Sequence, residues 1–141
     1  MSSATAAPAG SVLPTGALVW TGRVLSGLVV LFLLLDGAIK LAPLPVVLDT
    51  AAALGWPADA STWRALGLVL VACALLYAHP RTSVLGAILI TAYLGGAVAA
   101  HVRIGSPVFS HILFGVYVGV TTWAGLWLRE KRLRMLLPVL R

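Results

Sequence analysis

The chain has 141 residues, of which 60% are hydrophobic and only 10% are charged. Soluble domains carry about 25% charged residues, so this composition excludes an ordinary soluble protein and indicates one domain with three or four membrane spans. Most of the net charge of +6 follows the last apolar segment, which favours a membrane surface rather than nucleic acid as partner. A single cysteine, Cys73, excludes an intramolecular disulfide.

Four apolar segments follow an N-terminal stretch, 1–17, that we expect to be a disordered tail. Each segment is near or above the length of about 17 residues that a transmembrane helix needs. The segments cover about residues 18–42, 63–78, 83–100 and 108–128. Between the first two, PVVLDTAAALGWP is typical of a short interfacial helix. The prediction is an all-α, four-helix transmembrane bundle over 18–128, followed by a basic cytoplasmic tail over 129–141.

The basic residues are distributed unequally between the two ends of such a bundle. The end that carries the termini has Arg23, Arg81, Arg129, Lys131, Arg132, Arg134 and Arg141, whereas the other end has Lys40, Arg64 and Arg103. The positive-inside rule therefore predicts a multi-pass protein of the cell membrane (an inner membrane in bacteria) with both termini in the cytoplasm.

Small residues in the last two spans indicate where helices pack. The third span carries Gly95 and Gly96, and the fourth carries Gly115 and Gly119 as a GxxxG pattern. Small residues let helix backbones approach closely in lipid. The pattern predicts a helix contact within one chain or between the subunits of a homo-oligomer, although GxxxG also arises by chance in glycine-rich spans.

Two ionisable residues interrupt the first span in the stretch LLLDGAIKLAP. A helix that ended at Leu35 would hold only about 12 residues after Arg23, or about 18 Å, which is too short for a hydrocarbon core of about 30 Å. Asp36 is therefore expected inside the span, with Lys40 near its outer end. The two lie at i and i+4 on one face, so they can form an ion pair.

Four more polar residues are expected at the same outer level, which are Arg64, His101, Arg103 and His111. Ionisable groups inside a membrane are functional by default, so the six residues are candidates for ligand binding or proton handling. The alternatives are a purely structural Asp36–Lys40 pair and ordinary interfacial residues at the other positions. The spacing of His101 and His111 is not that of a zinc site, and we predict no metal site.

Several stretches together resemble the DoxX-like family of small membrane proteins. They are LLLDGAIKL, LGWP at Leu54–Pro57, HPRTSVLGAILITAYLGGAVAAHVRIGSPVF from His79 to Phe109, and WAGLWLRE. The resemblance covers about residues 20–138 and implies a four-helix membrane bundle. The family takes its name from a subunit linked to thiosulfate:quinone oxidoreduction, which implies a membrane redox complex as partner and a quinone as ligand. One departure is the second span, where Leu66-Gly67 is not followed by the acidic residue of many relatives.

Three functions are compatible with these patterns. The first is a non-catalytic or accessory membrane component linked to quinone or redox metabolism, with a polar pocket near the outer face that binds a quinone. The second is a small oligomeric transporter or proton-coupled exchanger that uses Asp36. The third, an independent enzyme, is disfavoured because no nucleophile–base pair, phosphate loop, haem or flavin motif or metal cluster is recognisable, and we expect no catalytic residues.

Overall fold

The computed structural model describes residues 15–42, 44–56 and 59–136. The helices in these ranges are α1 (Thr15–Leu41), α2 (Pro45–Ala53), α3 (Ala60–Ala78), α4 (Ser83–Arg103), α5 (Leu113–Arg129) and α6 (Lys131–Leu136), with a π-helical turn, Val108–Ile112, directly before α5. The predicted disordered tail lies outside the described residues up to position 14. Its last three residues, 15–17, are helical and belong to α1.

Four helices of the described chain are long and apolar enough to cross a membrane, which confirms the predicted all-α four-helix bundle. Their bounds are Gly16–Leu41, Ala60–Ala78, Ser83–Arg103 and Val108–Arg129. α1, with 27 residues, is about 40 Å long. Large apolar side chains on the outer surface, such as Leu28, Leu68 and Val120, are more than half exposed. A bilayer solvates such side chains as well as the protein interior does.

The four spans form a ring in the order α1, α3, α4, α5. α1 packs against α3 and α5, and α4 packs against the same two helices from the opposite side. The buried core at the centre contains Leu33, Leu70, Ile90 and Leu126. We call the end at which α1 begins the proximal end, and the end at which α1 finishes the distal end.

Tyr77 of α3 joins three spans at the proximal end. Its hydroxyl donates to the backbone carbonyl of Thr122 at 2.8 Å and accepts from the Ser26 hydroxyl at 2.9 Å. Arg129 donates to the Tyr77 carbonyl at 2.9 Å, and its guanidinium carbon lies 4.8 Å from the centre of the Tyr77 ring. Each buried polar atom of this network has a partner, so α1, α3 and α5 are held together at this end without the cost of unpaired polar groups in lipid.

α3 begins at Ala60, three residues before the predicted start, because Asp59 caps it. The Asp59 carboxylate accepts from the Ser61 hydroxyl, from the Ser61 backbone nitrogen at 3.3 Å and from the Thr62 backbone nitrogen at 3.2 Å. These bonds satisfy backbone donors that the first turn of a helix leaves free. The bond from the Ser61 hydroxyl, followed by those from the two backbone N–H groups, lowers the pKa of Asp59.

Asp59→Ala is expected to lower the melting temperature at neutral pH, and the difference from wild type is expected to shrink in acid. The pKa of Asp59 in the folded protein lies below its unfolded value of about 3.9. The stabilisation is therefore fully present above the unfolded pKa and is lost as the pH falls through the folded pKa. Melting curves of both proteins over a pH series measure it. Asp49→Ala, which removes an exposed carboxylate of α2, is the control and should leave the melting temperature at neutral pH close to that of wild type.

α2 ends in a tight turn that positions the chain over the distal end. Gly55 has a φ of +65°, and the Gly55 and Trp56 nitrogens donate to the Ala52 and Ala51 carbonyls, each at 2.9 Å. This is a Schellman arrangement, in which the left-handed position favours glycine. Ala51 is buried in a small separate cluster with Trp63 at the start of α3. The predicted short helix between the first two spans is therefore present and packs on α3.

Candidate functional site

Asp36 and Lys40 form an ion pair on the inward side of α1. The Lys40 Nζ donates to Asp36 Oδ1 at 2.5 Å, and the side chains are 17% (Lys40) and 34% (Asp36) exposed. The pair continues the stripe of Val29 and Leu33, which are both buried, since residues three or four apart share a helix face. Asp36 lies five residues before the end of α1 at Leu41, or about 7–8 Å below it.

Two neighbouring spans approach the ion pair. A Cβ built on Gly67 of α3 would lie 3.0 Å from the Lys40 Cβ, so α3 runs directly beside the stem of Lys40. Tyr93 of α4, which is packed against the core, interacts electrostatically with Asp36. The pair is thus directed into the ring of helices at its distal end, as the cost of exposing charge to lipid requires.

The two histidines of the distal end are brought together. The centres of the His101 and His111 rings lie 5.4 Å apart, with the rings inclined at 63°. His101 Nδ1 bonds to the Ser106 hydroxyl at 3.0 Å, and His111 Nδ1 bonds to the Ser110 hydroxyl at 2.8 Å. Ser106 follows the turn at Gly105, which has a φ of +67°. Ser106 was not among the predicted site residues, and its only signal in the sequence is its place directly after that glycine.

Arg103 crosses from the end of α4 to the end of α2. Its Nη2 donates to the Leu54 carbonyl at 2.6 Å. Beside this bond lies a groove of about 430 Å³, which we call the distal groove. Its lining residues are Gly55, Trp56, Gly96, Ala99, Ala100 and Arg103. The four lining residues that belong to α4 recur at i, i+3, i+4 and i+7. One face of the helix therefore leads from the guanidinium at the distal end toward the membrane interior.

A second, mostly apolar groove lies between α4 and α5. It has a volume of about 590 Å³, and its lining includes Gly95, Val98, Gly115, Gly119 and Trp123. The four glycines predicted to mediate packing fall into two kinds. A Cβ on Gly115 would lie 2.8 Å from Val98 Cγ2, and one on Gly119 would lie 3.8 Å from Leu94 Cδ1, so both face α4. Within the described part of the chain, a Cβ on Gly95 or Gly96 would have no atom of another helix within 4 Å.

The six candidates thus share the distal end but form separate contacts there. They divide into the Asp36–Lys40 pair, the His101–His111 pair, and Arg103 with the Leu54 carbonyl. Arg64, in the first turn of α3, is exposed and makes no hydrogen bond or ion pair within the described residues. Over those same residues, no group of three or more His, Cys, Asp or Glu side chains is placed to hold a metal ion.

Comparison with known families covers most of the chain. The model of the DoxX-like family matches residues 24–125. The chain belongs to the DoxX-like family. Neither a curated protein nor a solved structure matches it. With its four apolar helices, this DoxX-like chain is an integral membrane protein.

The matched region of the DoxX-like chain contains all six candidate residues and both grooves. The fold also brings together two stretches that lie far apart in the sequence, Leu54–Trp56 and His101–Arg103. The first contributes the Leu54 carbonyl, the left-handed Gly55 and the Trp56 wall, and the second contributes the Arg103 guanidinium. The distal groove is therefore the place where these two stretches meet.

Proposed function

We propose that this DoxX-like protein is a non-catalytic, accessory component of the cell membrane, linked to quinone or redox metabolism, that holds a quinone in the distal groove. A quinone has a polar head with carbonyl acceptors and an apolar tail. The observation that supports the proposal is the polarity of the distal groove, which has the Arg103 guanidinium at its distal end and Gly96, Ala99 and Ala100 along its length. The polar head would then lie at the distal end, near the membrane surface, and the apolar tail would extend toward the membrane interior.

Arg103 is suited to the head of the ligand. A guanidinium has five N–H donors. The hydrogen bond to the Leu54 carbonyl, the one that Arg103 makes within the described residues, holds the side chain in place and leaves donors for a quinone carbonyl. Trp56, which is 40% exposed, lines the same groove and offers an aromatic face to the ring. Gly96 keeps the floor open, because a side chain there would project into space that no protein atom occupies.

Filling the distal groove, or removing its guanidinium, is expected to weaken quinone binding. The test measures the binding of a short-chain quinone to protein in nanodiscs, by quenching of tryptophan fluorescence. Gly96→Leu and Arg103→Gln should each weaken binding roughly tenfold or more, because a lost bond to a charged donor costs about 1.5–3 kcal/mol. Gly95→Leu is the matched control, because the adjacent glycine is equally open but lines the other groove. Equal binding by the two leucine variants would refute the proposal.

The alternative function, a small oligomeric transporter or proton-coupled exchanger, is supported by Asp36. Its carboxylate lies inside the first span, on the inward side of α1, and is 34% exposed, so a proton can reach it from within the bundle. Quinone holding is favoured because Asp36 lines neither of the grooves described above. In both cases we propose cytoplasmic termini and an outward-facing distal end, on the positive-inside distribution of Lys and Arg.

A further inference from the structure

The histidine pair has the features of a pair of metal ligands. His101 and His111 each use Nδ1 to bond a serine hydroxyl, at 3.0 Å to Ser106 and 2.8 Å to Ser110. Neither Nε2 has a hydrogen-bond partner in the described part of the chain. A histidine that binds a metal through one ring nitrogen normally has its other nitrogen fixed by such a second bond, which sets the tautomer and the ring orientation.

The spacing of the rings also fits a shared ion. Their centres are 5.4 Å apart and the planes are inclined at 63°, so the rings converge without stacking. A Zn–N bond is about 2.0–2.1 Å long. After small side-chain rotations, one ion at that distance from each Nε2 can bridge two rings whose centres are this far apart. The two histidines are ten positions apart in the sequence, and only the turn after α4 brings the imidazoles together.

The sequence spacing of the two histidines predicted no metal site, but their ring geometry favours one. We propose that His101 and His111 form a binding site for a divalent transition-metal ion that favours imidazole, with Zn²⁺ and Cu²⁺ as the expected occupants. Two protein ligands leave two positions of a tetrahedral ion open to water or to an anion. In this respect the site resembles catalytic zinc sites, which keep an open position, and differs from closed structural sites with four protein ligands. The site is independent of quinone holding, since neither histidine lines the distal groove.

The backbone supports this placement of both rings. His111 lies in the π-helical turn, where the Ile112 nitrogen bonds to the Pro107 carbonyl at 3.4 Å, five residues back. π-Helical turns of this kind often occur at functional sites because they rotate a side chain away from its α-helical direction. His101 lies on the same face of α4 as Leu94 and Val98, and both of these line the α4–α5 groove. The last turns of α4 thus direct His101 toward His111, and the π-helical turn before α5 directs His111 toward His101.

Binding of Cu²⁺ to the protein, purified without a polyhistidine tag, tests the site. Titration in nanodiscs should give one tight equivalent that Zn²⁺ displaces, and electron paramagnetic resonance should show coupling to two imidazole nitrogens. His101→Ala and His111→Ala should each weaken binding roughly 100-fold, and Ser106→Ala and Ser110→Ala roughly tenfold, the range known for partners that orient a ligand. His79→Ala, which removes the remaining histidine at the proximal end, should leave the affinity unchanged.

A measurement on the unaltered protein covers the case in which an alanine variant does not fold. Diethyl pyrocarbonate modifies free imidazoles, so Zn²⁺ should protect His101 and His111 from it at least several-fold relative to His79, as read by mass spectrometry. Equal protection of the three histidines, or Cu²⁺ affinity that survives both distal substitutions, would overturn the proposal. Loss of binding in His79→Ala alone would overturn it as well, because the ion would then be bound adventitiously at the other end.

Discussion

Gly86→Ala is expected to push α3 and α4 apart and to destabilise the bundle strongly. A Cβ on Gly86 would overlap the Tyr77 backbone nitrogen and would lie 2.5 Å from the Tyr77 Cα and 2.8 Å from the Leu76 carbonyl carbon. These are backbone atoms of a packed helix, so no side chain can rotate away. Overpacking of this kind costs about 1–3 kcal/mol and occasionally more. The strain also falls on Tyr77, whose hydroxyl and carbonyl hold the proximal end together.

The only cysteine in the sequence reports this effect directly. Cys73 is 4% exposed and belongs to the core beside Leu70 and Ala74, so its thiol reacts with a maleimide dye only when the bundle opens. On heating in detergent, the Cys73 thiol of Gly86→Ala should react with the dye at a clearly lower temperature than that of wild type. Measurement in one detergent at one scan rate is essential, since the midpoint depends on both when unfolding is irreversible.

Gly96→Ala is the matched control on the same helix. A Cβ there meets no atom within 4 Å, and alanine favours a helix over glycine by up to about 1 kcal/mol. The melting temperature should stay the same or rise slightly. If both variants lost stability equally, the effect of Gly86→Ala would reflect a general need for glycine in α4, and the argument from the contact with Tyr77 would fail.

The four spans could be predicted from the sequence because hydropathy and length set them. A stretch of about 20 apolar residues has few alternatives to a membrane helix. The helix ends were predicted less well. The signal for the start of α3 was Asp59 followed by Ser61 and Thr62, a capping pattern that the apolar run from Trp63 obscured. α4 continues to Arg103, past the predicted end at position 100, because its last turn extends beyond the apolar run.

The rotation of each span could not be predicted, because lipid accepts apolar side chains on every outward face. In soluble helices an apolar stripe marks the interior, but here the interior is marked by small and polar residues such as Ser26, Gly37 and Thr122. This is why the sequence could not sort the six candidates into the separate contacts that they make. His101 and Arg103 lie two residues apart, yet one turns toward the π-helical turn and the other toward α2.

The two ends of the bundle differ in how they are held. At the proximal end, a Cβ on Gly125 would lie 3.0 Å from the Ser26 backbone nitrogen and 3.3 Å from the Gly22 carbonyl oxygen, so α1 and α5 touch through their backbones beside the Tyr77 network. Toward the distal end, α4 carries the open Gly96 and borders the distal groove. The proximal end therefore provides the rigid packing, while the distal end leaves open surface. Binding sites commonly combine a rigid scaffold with such accessible surface.

Removing either member of the Asp36–Lys40 pair is expected to destabilise the protein, and removing both is expected to restore most of the loss. Asp36→Asn leaves a partly buried ammonium without its carboxylate, and Lys40→Gln leaves the carboxylate without its ammonium. Each single change should cost about 1–3 kcal/mol, less than the about 3–5 kcal/mol of a fully buried pair, since Asp36 is one-third exposed. The double variant replaces both charges by amides that can bond to each other.

The double variant also separates the structural role of the pair from a functional one. With stability restored, Asp36→Asn/Lys40→Gln should bind quinone as wild type does if the ions serve only each other. In liposomes, a proton flux that wild type supports and the stable double variant lacks would instead assign proton handling to the Asp36–Lys40 pair. Asp49→Asn, an exposed carboxylate of α2, should change neither stability nor flux. Additive losses in the single and double variants would show that the two charges are not coupled, contrary to their 2.5 Å contact.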